Sequence, residues 1–298
     1  MDLFNLAQSQ FYALIQAALI QQQGFAAGKM GYSEQAILRY PLIRANFLKH
    51  QIAAYEIFLR HHCEFQTGVY PTDTDFLAQF ARFYADCYYQ LDALGLFGNP
   101  QEQELLNNYK WTCQTLNYLA MEPRRHIPHV NENCYLNLFE GKKILILAPF
   151  AQFLQSRGTQ EIYEKAWERI GKKWFYPLSI EAIEFPYSYK TARPEQSKYK
   201  TSLELLASIC EQIDQLDFDV ALIGAGALGV PLAVHVKSLG KVGLSLGGHL
   251  QVIFGVAGAR WRNDPHWVAR YLNEHWVDLP PCYYPPLKEQ LTDVGAYW

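Results

Sequence analysis

The chain contains one run of residues whose order alone suggests ligand chemistry, Gly224-Ala225-Gly226-Ala227-Leu228-Gly229. It follows the apolar segment Asp219–Ile223 and precedes a stretch with helical character, which is the setting of a phosphate-binding glycine turn. The first glycine permits the tight turn, the second lets a phosphate approach the backbone, and the third lets helix pack on strand. The free N–H groups of the following helix would face an anion. A second cluster, Leu246-Gly247-Gly248-His249-Leu250-Gln251, repeats the arrangement after the next apolar run. Backbone N–H groups of Gly247 and Gly248 would point into the same crevice, with His249 and Gln251 in reach of a ligand. Arg260 and Trp261 follow, a guanidinium able to pair with a diphosphate and a ring able to stack on a base or sugar.

A dinucleotide site of the nicotinamide type needs an acid about 20 residues beyond the glycine turn to hold the ribose hydroxyls. That position falls near Leu244–Gly247, and no acid occurs from Val220 to Asn263. The region is instead basic, with Lys237, Lys241, Arg260 and Arg262. The spacing therefore favours a phosphate-bearing ligand other than NAD, with an NAD(P)-dependent oxidoreductase as the alternative. A purely structural glycine turn is the third reading.

The elements that must hold these residues are of two kinds. The second half reads as alternating strands and helices: strands at Lys143–Ala148, Ile180–Phe185, Phe218–Ile223 and Lys241–Leu246, and helices over 152–170, 201–216 and 230–239. This rhythm predicts an α/β, Rossmann-like fold with a mostly parallel sheet. The first half reads as mainly helical. Leu3, Leu6, Ala7, Phe11, Leu14, Ile15, Ala18 and Leu19 share one helical face. A strand is expected at Phe25–Met30, then a helix from about Glu34 capped by Ser33. Further helices are expected over 46–61, from the Thr72-Asp73-Thr74-Asp75 cap onward toward Gly95, and over 102–109. The stretch 122–133 reads as a long functional loop, and 188–200 as a polar one. The expected division is a helix-rich half, 1–140, whose strand–turn motif at 28–34 reaches the cleft, and a nucleotide-binding half, 141–298.

At these residues the sequence resembles a known family. Asp219–Trp261, together with Gly28–Glu34 (GKMGYSE), Thr67–Pro71 (TGVYP) and Lys142–Arg157, resembles bacterial glycosyltransferases of the GT-D fold and related polysaccharide-biosynthesis proteins. The resemblance implies transfer of a sugar from a nucleotide-sugar donor, such as a UDP-sugar, to a hydroxyl of a glycan or glycoconjugate acceptor. It implies a donor site formed by Gly31, Gly224, Gly226, Gly229, Gly247, Gly248, Gln251 and Arg260. It also implies a divalent cation, Mn²⁺ or Mg²⁺, held by an acidic pair in a turn that here reads Gly31-Tyr32-Ser33-Glu34. Glu34 is retained, and Tyr32 stands where the first acid belongs. Glu34 and His249 are the candidates for the catalytic base, Glu34 also for the metal ligand. A non-catalytic nucleotide- or glycan-binding protein is a further alternative.

Composition narrows the classes further. The 298 residues are 50% hydrophobic and 15% aromatic, enough to bury a large core, which excludes disorder. A net charge of −3 argues against a mainly electrostatic nucleic-acid binder. The first basic residue is Lys29, so the N-terminus lacks the charged start of a secretory signal. The uncharged run Val242–Ala259 is rich in glycine and makes a poor transmembrane helix. The six cysteines form no CxxC pair, and reduced, mostly buried thiols in a cytoplasmic protein are expected.

Overall fold

A computed structural model of the chain describes residues 3–123, 135–192, 198–291 and 295–298. In chain order its principal elements are α1 (Leu3–Gln21), β1 (Phe25–Lys29), α2 (Tyr32–Asn46), α3 (Lys49–His62), α4 (Thr74–Tyr88), β2 (Ala93–Leu96), α5 (Pro100–Tyr109) and β3 (Gln114–Asn117). The second half continues with β4 (Lys143–Leu147), α6 (Ala151–Ser156), α7 (Gln160–Ala166), β5 (Ser179–Ile183), α8 (Ser202–Ile213), β6 (Val220–Ile223), α9 (Gly229–Ser238) and β7 (Val242–Ser245). Three short helices, α10 (His249–Ile253), α11 (Ala259–Arg262) and α12 (Pro265–Arg270), follow the last strand.

The strands form one seven-stranded sheet in the order β3-β2-β1-β7-β6-β4-β5, parallel throughout. This is the Rossmann-like α/β class that the alternating pattern predicts. The central strands are apolar on both faces because both faces are covered. Side chains alternate along each strand, and the core divides accordingly. Ile144, Ile146, Val220 and Leu222 join one apolar layer with Phe11, Trp167 and Trp267. Leu145, Leu147, Ala221 and Ile223 join the other with Tyr84, Ile209 and Val234. The stripe read from α1 is borne out at Ala7, Phe11, Ile15 and Ala18, all buried, while Leu6 is exposed.

The structure corrects several expectations. The helix beginning near Asp73 stops at Tyr88, and Ala93–Leu96 continues as a strand beside β1. Gln114–Asn117 is a second unexpected strand. It lies at the sheet edge, and only Leu116 of its four residues is buried, so it carries no apolar run to read. The helix expected over 152–170 breaks after Ser156 and restarts at Gln160, where Thr159 caps it by accepting from the Ile162 N–H. At the break, Arg157 turns inward and donates to the carbonyls of Phe254 and His275. Ser33 does not cap α2; Gly31 precedes the first turn, and the Ser33 hydroxyl bonds His62 and Gln66 instead. Asp73 does cap α4, accepting from the Phe76 N–H. Residues 124–133 of the expected functional loop and 193–197 of the polar loop lie outside the described residues.

Three strands of the first half thus complete the sheet begun in the second, joined where β1 lies beside β7. The five described cysteines are unpaired; Cys63 and Cys87 are buried, and Cys282 is exposed. Among the described residues, no helix is long and apolar enough to cross a membrane.

Candidate functional site

Parallel strands end at the same side of a sheet, so the loops leaving their carboxyl ends share one crevice. Here they enclose a cavity of about 650 Å³. Every strand contributes to its wall: Gly31 after β1, Phe97 after β2, Tyr118 and Glu122 after β3, and Phe150 after β4. Tyr187 follows β5, Gly224 and Gly226 follow β6, and Gly247 and His249 follow β7. Arg260, Trp261, Tyr297 and Trp298 close the cavity from the C-terminal segment. The sequence-derived candidates Gly31, Glu34, Gly224, Gly226, Gly247, Gly248, His249, Gln251 and Arg260 therefore converge on one space.

Gly229 is the exception. It is not part of the wall and packs α9 onto β7, where an added Cβ would meet the Ser245 hydroxyl. This is the helix-packing role of the third glycine and not a ligand contact. Gly226 has a positive φ of +51°, and a Cβ there would lie 2.8 Å from the Thr67 carbonyl oxygen. The second glycine thus admits a neighbouring backbone as well as opening the turn. Gly226→Ala is expected to cost about 1–3 kcal/mol through left-handed strain and this collision. A urea unfolding midpoint measures it, and an unshifted midpoint would mean that the turn relaxes freely.

The centre of the cavity is a linear array that joins distant parts of the chain. Lys29 Nζ lies 3.0 Å from His249 Nδ1, and His249 Nε2 lies 3.1 Å from a Glu122 carboxylate oxygen. One proton assignment satisfies both contacts: the Lys29 ammonium donates to Nδ1, and Nε2–H donates to Glu122. The Tyr118 ring lies nearly parallel to the His249 imidazole at 6.4 Å and stacks on Phe97 at 4.1 Å. Burial lowers the Lys29 pKa to about 7, opposed by Glu122 and reinforced by Arg260. The Glu34 carboxyl is shifted the other way, upward, chiefly by burial, with its own backbone N–H and Lys29 opposing. Near neutral pH the cavity therefore holds an ammonium that can lose its proton and a carboxyl with enhanced basicity.

Arg260 is held at the rim by the Tyr297 hydroxyl, 3.0 Å from Nη1, and its guanidinium sits 4.6 Å from the centre of that ring. Gln251 is almost wholly buried and donates from Nε2 to the Tyr297 carbonyl at 3.2 Å, while its Oε1 has no hydrogen-bond partner among the described residues. Gln251 thus braces the C-terminal segment and leaves one acceptor for a ligand donor. Trp298 donates from Nε1 to the Tyr187 hydroxyl at 3.0 Å, tying the same segment to the loop after β5.

No family model, no curated protein and no solved structure matches this chain. The residues themselves must then carry the functional reading.

The donor set does not suit the divalent cation that the resemblance implies. Hard cations require several carboxylate or carbonyl oxygens. Of the acids at the wall, Glu122 is bonded to His249, and Asp264 accepts from the His266 and Trp267 N–H groups as a helix cap. Glu34 stands alone beside Lys29, with Tyr32 half out in solvent and edge-on to His62. Among the described residues, the one cluster with metal-ligand spacing is Glu168, Glu274 and His275, at the surface and away from the cavity. The charges facing an anion are those of Lys29 and Arg260.

Sequence reasoning missed Lys29, Glu122 and the aromatic pair Phe97–Tyr118. Lys29 had a readable signal, since it lies one residue before the end of the strand expected at Phe25–Met30, and the carboxyl ends of parallel strands face the crevice. Glu122 opens the stretch read as a functional loop, but nothing singled it out within that stretch, because it follows a strand that the sequence does not announce.

Proposed function

We propose that the chain is a glycosyltransferase that moves a sugar from a nucleotide-sugar donor to an acceptor hydroxyl. The supporting observation is the cavity itself: two glycine turns and two cations, Lys29 and Arg260, surround one space at the carboxyl ends of a parallel sheet. In this reading the diphosphate lies along the Gly224–Gly226 and Gly247–Gly248 turns. Its developing charge is met by backbone N–H groups, Lys29 and Arg260. The bond from the anomeric carbon to the diphosphate oxygen breaks, and a bond to the acceptor oxygen forms. Glu34, with its raised basicity, takes the acceptor proton. His249 has both ring nitrogens engaged, so its role is to position Lys29 rather than to act as the base.

The nicotinamide alternative rests on the Gly224–Gly229 spacing alone. The strand after that turn ends at Ser245 with no acid for a ribose. Thermal unfolding with UDP, GDP, CMP, NAD and NADP separates the readings. A diphosphate nucleotide at a hundred times its Kd adds about 2.7 kcal/mol of stability, a shift of several degrees. Stabilisation by UDP or GDP without a shift from NAD(P) is expected. A shift from NAD(P) alone would overturn the proposal. Donor hydrolysis by the purified protein would exclude the non-catalytic alternative.

A further inference from the structure

We infer that α3 and the turn leading into it form a docking face for an anionic lipid surface. Only Leu59 and His62 of this 14-residue helix are buried. Apolar side chains that would ordinarily enter a core instead face solvent: Phe47 is 49% exposed, Leu48 66%, Ile57 71% and Phe58 39%. Ring contacts lead from Phe58 to the cavity. Phe58 packs edge-on to His62 at 4.3 Å, and His62 packs edge-on to Tyr32, an exposed residue of the cavity wall. Large apolar side chains left exposed together on a surface helix and its leading turn mark an interaction site.

Its charge selects the occupant. From Arg44 to His61 the exposed basic residues are Arg44, Lys49 and Arg60, joined by His50 and His61. The one acid in this segment, Glu56, accepts from the Tyr40 hydroxyl at 2.5 Å and from Thr74. Cations flanking exposed large apolar side chains are the pattern of a helix lying in a lipid interface, its apolar groups among acyl chains and its cations at anionic headgroups. A second copy of the chain fits less well, since a two-fold contact here would place Lys49 and Arg60 against a like set. The inference does not depend on the glycosyltransferase reading, because its readout is lipid binding and not turnover.

The test is co-sedimentation of the full chain with phosphatidylcholine vesicles, with and without phosphatidylglycerol. Binding is expected with phosphatidylglycerol, weakened by salt. Ile57→Asp with Phe58→Asp should reduce it at least tenfold, as should Lys49→Gln with Arg60→Gln. The second pair leaves the apolar strip intact and keeps the test decisive should the first impair folding. Equal binding to both vesicle types, or binding to neither, overturns the inference. So does a concentration-dependent dimer abolished by the same substitutions.

Discussion

Lys29→Met should lower UDP affinity or transfer rate by about 10²–10³-fold, the loss typical when one preorganised donor to a developing anion is removed. Methionine keeps an unbranched chain in the same space, so the change deletes charge more than volume. Titration calorimetry with UDP measures the affinity. An unchanged Kd in a folded variant would place the diphosphate elsewhere. The same substitution should not destabilise the fold at pH 6, because it removes a buried cation whose desolvation is unfavourable.

Acidity gives an independent reading of the same group. The Lys29 pKa falls from its ordinary 10.5 to about 7 in the folded chain. Below pH 7 the ammonium is present, so UDP affinity should decline as pH rises through 7. Between about pH 7 and 10.5 the unfolded chain holds a proton that the folded chain lacks, so this residue makes stability rise with pH across that window. Lys29→Met should abolish both trends, as seen by calorimetry and by urea unfolding at several pH values. Persistence of the affinity trend in the variant would assign it to another group.

Trp167→Ala should cost about 3–5 kcal/mol, the range for deleting a fully buried aromatic. Its indole is 1% exposed and meets Trp276 at 4.9 Å and Tyr271 at 6.1 Å between ring centres. Its Nε1–H bonds the Ile253 carbonyl at 3.2 Å, at the end of the short helix that begins with His249. The variant therefore leaves a cavity and an unbonded carbonyl at the end of α10, which follows β7. Urea unfolding should show a lower midpoint with an unchanged slope, and Trp167→Phe should restore part of the loss. A midpoint within 1 kcal/mol of the parent would mean that the aromatic layer closes over the gap.

The two halves of the chain were not equally legible. Lys143–Leu147 and Val220–Ile223 are continuous apolar runs because they are covered on both sides, and burial writes itself into composition. Ala93–Leu96 contains a glycine and follows a helix closely, so it reads as the end of that helix. Gln114–Asn117 lies at the sheet edge and needs only one apolar residue. The glycine turns were readable because backbone approach demands a particular residue type. The array of Lys29, His249 and Glu122 was not, since each member is ordinary in its local sequence and only the strand order brings them together.

That order has a kinetic consequence. Lys29 and His249 are 220 residues apart, and their contact depends on β1 lying against β7. Strands β4, β5 and β6 can associate within a much shorter span of chain, so closing the β1–β7 seam is the costliest loop the sheet requires. Opening that seam would separate the ammonium from its imidazole while leaving β4, β5 and β6 paired. Amide exchange should then be faster at Phe25, whose N–H donates to the Lys241 carbonyl across the seam, than at Ile146 and Leu222, and ligand bound across the seam should slow it selectively there.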